Sequence, residues 1–400
     1  MAVGSGELGT LHPVKGITMA AVSAGIKKPG RLDCVVFSLG DEATVAGVFT
    51  TNAFCAAPVT VCKNHLAQAA PRYFVINTGN ANAGTGEIGL KNAIDSCSMA
   101  AKSLGIKAEE VMPFSTGVIG QQLSMEKFEK GISDASKNLN ENLSDLGQAI
   151  LTTDLVEKKF STSFNFHGKT VSITGFAKGS GMIRPNMATM LSFIFTDIEA
   201  SQDDLQTCLL HSVEKSFNRI TVDGDTSTND ACTLSATGKS GVNITDCLEE
   251  FQEAMDQVCL SLAQMIIKDG EGATKFIEVK VKGGETPQDC LEVAYSVAHS
   301  PLVKTAIFAS DANWGRILAA VGRSNIKNLK ISDVNISLND TALITHGEPD
   351  KNYTEEKGSY EMSKDTIVLS IDIGSTNLQE TVWTCDFSYD YVKINAEYRT

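Results

Sequence analysis

The sequence predicts a layered α/β protein, with mixed α/β and α+β character and a smaller α/β domain at its C-terminal end. Three observations carry that expectation. Strand-like and helix-like segments are mixed along the chain instead of repeating as regular βαβ units. At 400 residues the chain exceeds the size at which a single core usually stops growing. The stretch Lys282-Gly283-Gly284-Glu285-Thr286-Pro287 is the best linker candidate, and it divides the chain into residues 1–284 and 285–400.

Taken in order, Cys34–Ser38 and Tyr73–Asn77 are short apolar runs bounded by Gly, Asn and Asp, as strands are. Asn92–Leu104 has the spacing of a helix. Val171–Ala177 and Met190–Thr196 are strand-like and flank a turn rich in glycine. Ser201 caps a helix whose apolar face is Leu205, Leu209, Val213 and Phe217. Thr245 is the expected cap of a longer helix that ends near Lys268-Asp269-Gly270. Beyond it Ile277, Val279 and Val281 alternate with Glu278, Lys280 and Lys282, a strand with one wet face.

Composition excludes several function classes. With 42% hydrophobic and 20% charged residues the chain is globular. A net charge of −14 argues against a nucleic-acid or anionic-membrane surface, although Lys178 and Arg184 can still form a local basic pocket. No window approaches 18 uninterrupted apolar residues, and the first residues lack a basic start followed by an apolar core, so a cytoplasmic protein is expected. The ten cysteines form no CxxC pair and several sit at apolar positions, Cys259 among Phe251, Met255, Val258 and Leu262. Reduced core thiols are expected. The six histidines share no ligand spacing, which leaves no zinc site. Gly84-Thr85-Gly86-Glu87-Ile88-Gly89 starts too far past its strand for a dinucleotide turn. Asp223-Gly224-Asp225 lacks the later residues of a calcium loop.

The most informative segment is Lys178-Gly179-Ser180-Gly181-Met182-Ile183-Arg184-Pro185-Asn186-Met187-Ala188-Thr189-Met190-Leu191. It delivers Thr189 to the mouth of an apolar strand. As residues alone, this is also how an ordinary turn enters a core strand. A threonine hydroxyl becomes a useful nucleophile when a base takes its proton, and an N-terminal threonine supplies its own α-amine, with a pKa near ~7.7–8.0. Thr189 can play that part only if the Ala188–Thr189 bond is cut.

This segment resembles the self-cleavage segment of the ornithine acetyltransferase family, the glutamate N-acetyltransferases of arginine biosynthesis. The resemblance extends through Gly47-Val48-Phe49-Thr50-Thr51-Asn52, Ser115-Thr116-Gly117-Val118-Ile119-Gly120 and Asp223–Asp230. It continues in Asp269-Gly270-Glu271-Gly272-Ala273-Thr274-Lys275, Asn313-Trp314-Gly315-Arg316 and the ending Ile394–Thr400. It implies an α-β-β-α sandwich with a self-processing threonine nucleophile, cut between residues 188 and 189, and a smaller C-terminal domain whose tail returns to the site. It also implies an α2β2 assembly of processed chains. By the same resemblance Thr116 and Gly117 form the oxyanion hole, while Thr153, Lys178, Glu271, Asn395 and Thr400 contact substrate. The spacing does not separate Thr153 from Thr152, nor proton transfer from substrate binding for Glu271.

The implied reaction moves acetyl from N-acetylornithine to glutamate through an acetyl-Thr189 ester. Some members also use acetyl-CoA, and the residues do not distinguish the two kinds. No metal or organic cofactor is expected, since nucleophile, base and oxyanion donors suffice. The competing expectations are a self-processing aminopeptidase or amidase and, more remotely, an unprocessed nucleotide-binding protein.

Overall fold

The structure, a computed structural model, describes residues 2–4, 9–184, 190–374 and 376–397. The chain divides into two compact units. The larger comprises Glu7–Asn218 and Asp225–Ile266; the smaller comprises Met1–Gly6, Arg219–Gly224 and Ile267–Thr400.

The larger unit is built on two sheets. One has four strands in the order Thr18–Val22, Cys34–Ser38, Tyr73–Asn77 and Val111–Ser115, the last pair parallel. The other has five, in the order Thr44–Phe49, Ala231–Ala236, Leu191–Thr196, Lys169–Lys178 and Lys158–Phe166. Their facing sides share one core. Phe37, Phe74 and Phe114 of the first sheet meet Phe193 and Phe195 of the second, and the Phe114 and Phe193 rings cross edge to face at 5.0 Å. Each such ring buries roughly 150–250 Å² on folding, so these aromatics supply much of the apolar burial between the sheets.

Helices Gly86–Leu104 and Met125–Ser136 pack on the far face of the four-stranded sheet, through Ala93, Cys97, Phe128 and Ile132. On the other sheet, Gly175 makes room for Leu262 and Val258 of the helix Leu248–Lys268; a Cβ there would lie 2.8 Å from both. The layers therefore run helix, sheet, sheet, helix, a layered α/β sandwich.

The smaller unit carries a seven-stranded mixed sheet whose central strands are Thr366–Asp372 and Phe276–Lys282. Ile277, Val279 and Val281 face a core that includes Val293 and Val297 of the helix Pro287–Ala298. The strand Phe276–Lys282 thus belongs to this unit, whereas the division read at 284/285 leaves it in the larger domain. The Gly/Pro stretch is a strand-to-helix turn. Gly283 sits at φ +92 against Gly374, and Thr286 caps the next helix in a box with Asp289.

Local expectations fare unevenly. Both early strands and the Ser201 cap appear as expected, with Ser201 Oγ accepting from Asp204 N at 3.2 Å. The first long helix starts at Gly86, not Asn92, because its first turns carry glycines and exposed Ile88 and hide the amphipathic pattern. Thr245 is not the cap of the later helix. Asn243 accepts from Thr245 N at 3.0 Å and caps a short 3-10 turn, and the helix begins at Leu248. All ten cysteines are free thiols, and nine are buried. Among the described residues no helix is long and apolar enough to cross a membrane.

Candidate active site

Ala188, Thr189 and Thr400 lie outside the described residues. The remaining candidates fall into two groups, one in each unit.

In the larger unit Thr116 and Gly117 directly follow the strand Val111–Ser115. Thr116 N donates to Asn77 O at 3.0 Å, which continues the strand pairing past its end. Gly117 has φ +135, and a Cβ on it would lie 2.6 Å from the Gly79 carbonyl carbon and 2.7 Å from Asn80 N. Backbone meets backbone there, and glycine alone permits it.

Lys178 ends the strand Lys169–Lys178 and stands opposite Leu191 in an antiparallel pair, two residues after Thr189 in sequence. Its side chain is buried and crosses to the other sheet, where Nζ donates to Thr116 Oγ1 at 3.2 Å. An ammonium has no acceptor lone pair, so Thr116 Oγ1 must accept here. Its own proton stays available to another acceptor.

Behind Lys178 lies a buried ion pair. Lys158 Nζ donates to Asp154 Oδ1 at 2.7 Å, and both side chains are 0% exposed. The same oxygen accepts from Gly179 N at 2.6 Å, and Asp154 Oδ2 accepts from Thr152 N at 3.0 Å. Burial opposes the Asp154 charge, but the ammonium groups of Lys158 and Lys178 outweigh it and hold the carboxyl well below the usual carboxylate range. Thr153 Oγ1 lies 2.8 Å from Ser180 Oγ, whereas the Thr152 hydroxyl turns to Asp154. Thr153 is therefore the threonine beside the Lys178–Gly181 turn.

Two sequence motifs without an assigned role converge on this region. Thr50 N donates to Asp230 O at 3.0 Å, Thr50 Oγ1 to Ser227 O at 2.7 Å, and Asn52 Nδ2 to Thr226 O at 2.9 Å. The loop they hold presents Asn229 and Asp230, which bond to backbone groups of the two segments just described. Sequence reasoning missed Asp154, Lys158, Asn229 and Asp230. Asp154 and Lys158 carry a signal in their spacing of four; Asn229 and Asp230 carry only their place in a matched motif.

In the smaller unit Glu271 is buried, and its Oε2 accepts from Asn395 Nδ2 at 2.9 Å. The segment carrying Asn395 is clasped to the glycine-rich turn around Glu271. Ser388 Oγ donates to Gly272 O at 2.6 Å, and Asp386 accepts from Thr274 N, Thr274 Oγ1 and Lys275 N at 2.6–2.9 Å. Gly272 has φ +70, and a Cβ there would lie 2.5 Å from Tyr391 N. In the run leading to Asn395, Phe387 and Tyr391 stack at 4.7 Å, while Tyr389 and Val392 are exposed. Polar clamps hold this tail more than apolar burial does.

Among the described residues no group of three or more His, Cys, Asp or Glu side chains is placed to hold a metal ion.

The model of the ArgJ family matches residues 18–400. Two relatives named arginine biosynthesis bifunctional protein ArgJ, from Pseudomonas fluorescens and Pseudomonas syringae pv. tomato, are each 50% identical over 406 residues, covering 100% of both chains. A crystal structure of the protein of that name from Bacillus halodurans is 37% identical, covers 50% of this chain and 95% of its own, and has a TM-score of 0.48. The chain belongs to the ArgJ family.

Proposed function

We propose that this protein is a self-cleaving acetyltransferase of arginine biosynthesis that moves acetyl from N-acetylornithine to glutamate through Thr189. Family membership supports the reaction class. The observation that carries the site is Lys178, which pairs with Leu191 near the nucleophile and donates to Thr116 Oγ1 at 3.2 Å.

In the precursor the Thr189 hydroxyl attacks the Ala188 carbonyl; the peptide C–N bond breaks, and water releases the resulting ester. The freed α-amine then takes the proton of its own hydroxyl as Oγ attacks the acetyl carbonyl of N-acetylornithine. Negative charge develops on that carbonyl oxygen, where the Thr116 hydroxyl and the Gly117 N–H donate. Collapse breaks the amide C–N bond, the leaving amine gains the proton, and ornithine departs. The α-amine of glutamate attacks the acetyl-Thr189 ester, the C–O bond breaks and Thr189 recovers its proton.

Lys178 keeps the Thr116 proton free for the oxyanion, and Thr153 borders the bound substrate. Glu271, oriented by Asn395, holds the substrate amine, with Thr400 completing the contact. The proposal includes acetyl-CoA as a second donor, with which the word bifunctional in the relatives' names is in keeping. The processed fragments stay together as α2β2, in the cytoplasm.

The test is intact mass under denaturing conditions, native mass of the assembly, and the ratio of acetyl transfer to hydrolysis. Fragments 1–188 and 189–400 with transfer to glutamate far exceeding hydrolysis are expected; dominant hydrolysis identifies an amidase instead. Thr116→Ala is expected to lower kcat by about 10²–10³ with little change in KM, while Thr116→Ser keeps most activity. Unchanged kcat in the alanine chain removes Thr116 from the oxyanion hole. Asn395→Ala frees Glu271 and is expected to raise KM roughly tenfold at nearly constant kcat. A pure kcat effect there assigns Glu271 to proton transfer.

A further inference from the structure

Asp230 begins the strand Ala231–Ala236, which runs parallel to Leu191–Thr196 with Ala231 opposite Leu191. Its carboxyl is 1% exposed. Oδ1 accepts from Met190 N at 2.9 Å, the amide covalently next to Thr189. Asn229, one residue earlier, is also buried. Its Nδ2 donates to Ser115 O at 2.9 Å and to Ala81 O at 2.6 Å, and Ser115 is the residue before Thr116. Two consecutive side chains thus grip the neighbours of the two groups that must meet one carbonyl.

Such a grip fixes distance. Strand ladders alone set the register of Leu191 and of Ser115 in separate sheets. The bonds of Asp230 and Asn229 fix the amide at 190 relative to the carbonyl at 115, beside the Lys178–Thr116 contact that also crosses between the sheets. Acyl transfer is sensitive to that spacing, because a misplacement of about 1 Å can cost roughly 10²-fold in rate. Burying a carboxyl this completely is expensive, and Asp230 is 1% exposed.

We propose that Asp230 is a positioning residue of the nucleophile centre, setting the amide adjacent to Thr189 against the oxyanion segment that Asn229 holds. The role rests on the proposed Thr189 chemistry and needs Oδ1 as an acceptor, not a charge. Burial, opposed by the Met190 N–H, the Ser227 side chain and Lys178, raises the Asp230 carboxyl well above the usual carboxylate range, so an uncharged amide is the fair substitute.

The experiment compares wild type, Asp230→Asn and Asp230→Ala as full chains, with folding checked by circular dichroism. The half-life of the uncut chain is followed by intact mass, and kcat and KM for acetyl transfer are measured on cleaved material. Asp230→Asn retains the acceptor and should cleave and turn over within about threefold of wild type. Asp230→Ala should slow self-cleavage and lower kcat by about 10²-fold with KM nearly unchanged. If the alanine chain does not fold, Asp230→Leu, similar in shape but unable to accept, takes its place. An alanine chain that matches wild type overturns the proposal, and so does an asparagine chain as slow as the alanine one. In both cases wild type still cleaves and the Thr189 chemistry stands. A wild-type chain that stays uncut overturns that chemistry and this inference together.

Discussion

A Thr189→Ala chain is expected to be recovered as one uncut species of 400 residues, where wild type yields fragments 1–188 and 189–400. Alanine has no hydroxyl to place on the Ala188 carbonyl, so the acyl shift has no nucleophile and the α-amine that later serves as base is never released. Both losses fall on one position, and acetyl transfer should drop below about 10⁻⁴ of wild type. Thr189→Ser separates chemistry from folding. It keeps the hydroxyl and should still cleave, more slowly, because serine lacks the γ-methyl that restricts χ1 in threonine and so holds its hydroxyl less firmly in the attacking position. Denatured intact mass of the three proteins, prepared without protease contact, reads the outcome directly. An alanine chain cut at the same bond, or one that still transfers acetyl, takes Thr189 out of the mechanism.

The second large effect belongs to Asp154. Asp154→Ala leaves the Lys158 ammonium, 0% exposed, without its carboxylate and deprives Gly179 N of its acceptor. Breaking a buried pair from one side costs about 3–5 kcal/mol, far more than the pair itself contributes. Asp154→Ala with Lys158→Met removes both charges and should recover most of that loss. Urea unfolding of the single and double variants measures it; equal destabilisation in both refutes the uncompensated-charge argument.

The pH dependence has a definite sign. The folded Asp154 carboxyl lies below its unfolded value, so the unfolded chain binds more protons as the solution is acidified. The contribution is therefore complete at neutral pH and is lost as pH falls below about 4. Wild type should lose stability more steeply than the double variant across that acid range. Parallel slopes would mean that Asp154 is not held low. Activity should fall with the alanine change even in folded protein, because Gly179 follows Lys178 and loses its anchor.

The strands Cys34–Ser38 and Tyr73–Asn77 are legible because β-branched and aromatic residues crowd a short run between turn formers. The Ser201 cap is legible because an N-cap serine acts within three residues. The candidate site is legible where residue type and local spacing carry the chemistry: a threonine at a strand mouth, a Thr-Gly pair, a lysine beside a glycine turn. These are short-range properties, and the sequence by itself determined them, together with the family.

What only tertiary structure decided is which distant groups share a bond. Lys178 reaches Thr116 across 62 positions, and Asn229 reaches Ser115 across 114, because two sheets pack face to face and their strand ends fall side by side. The same holds for the strand Phe276–Lys282, whose alternation was plain but whose sheet was not. Its partners Thr366–Asp372 and Gln379–Cys385 lie about a hundred residues on. Pairing over such separations depends on which apolar faces close together, and that is a property of the folded whole, not of any window of sequence.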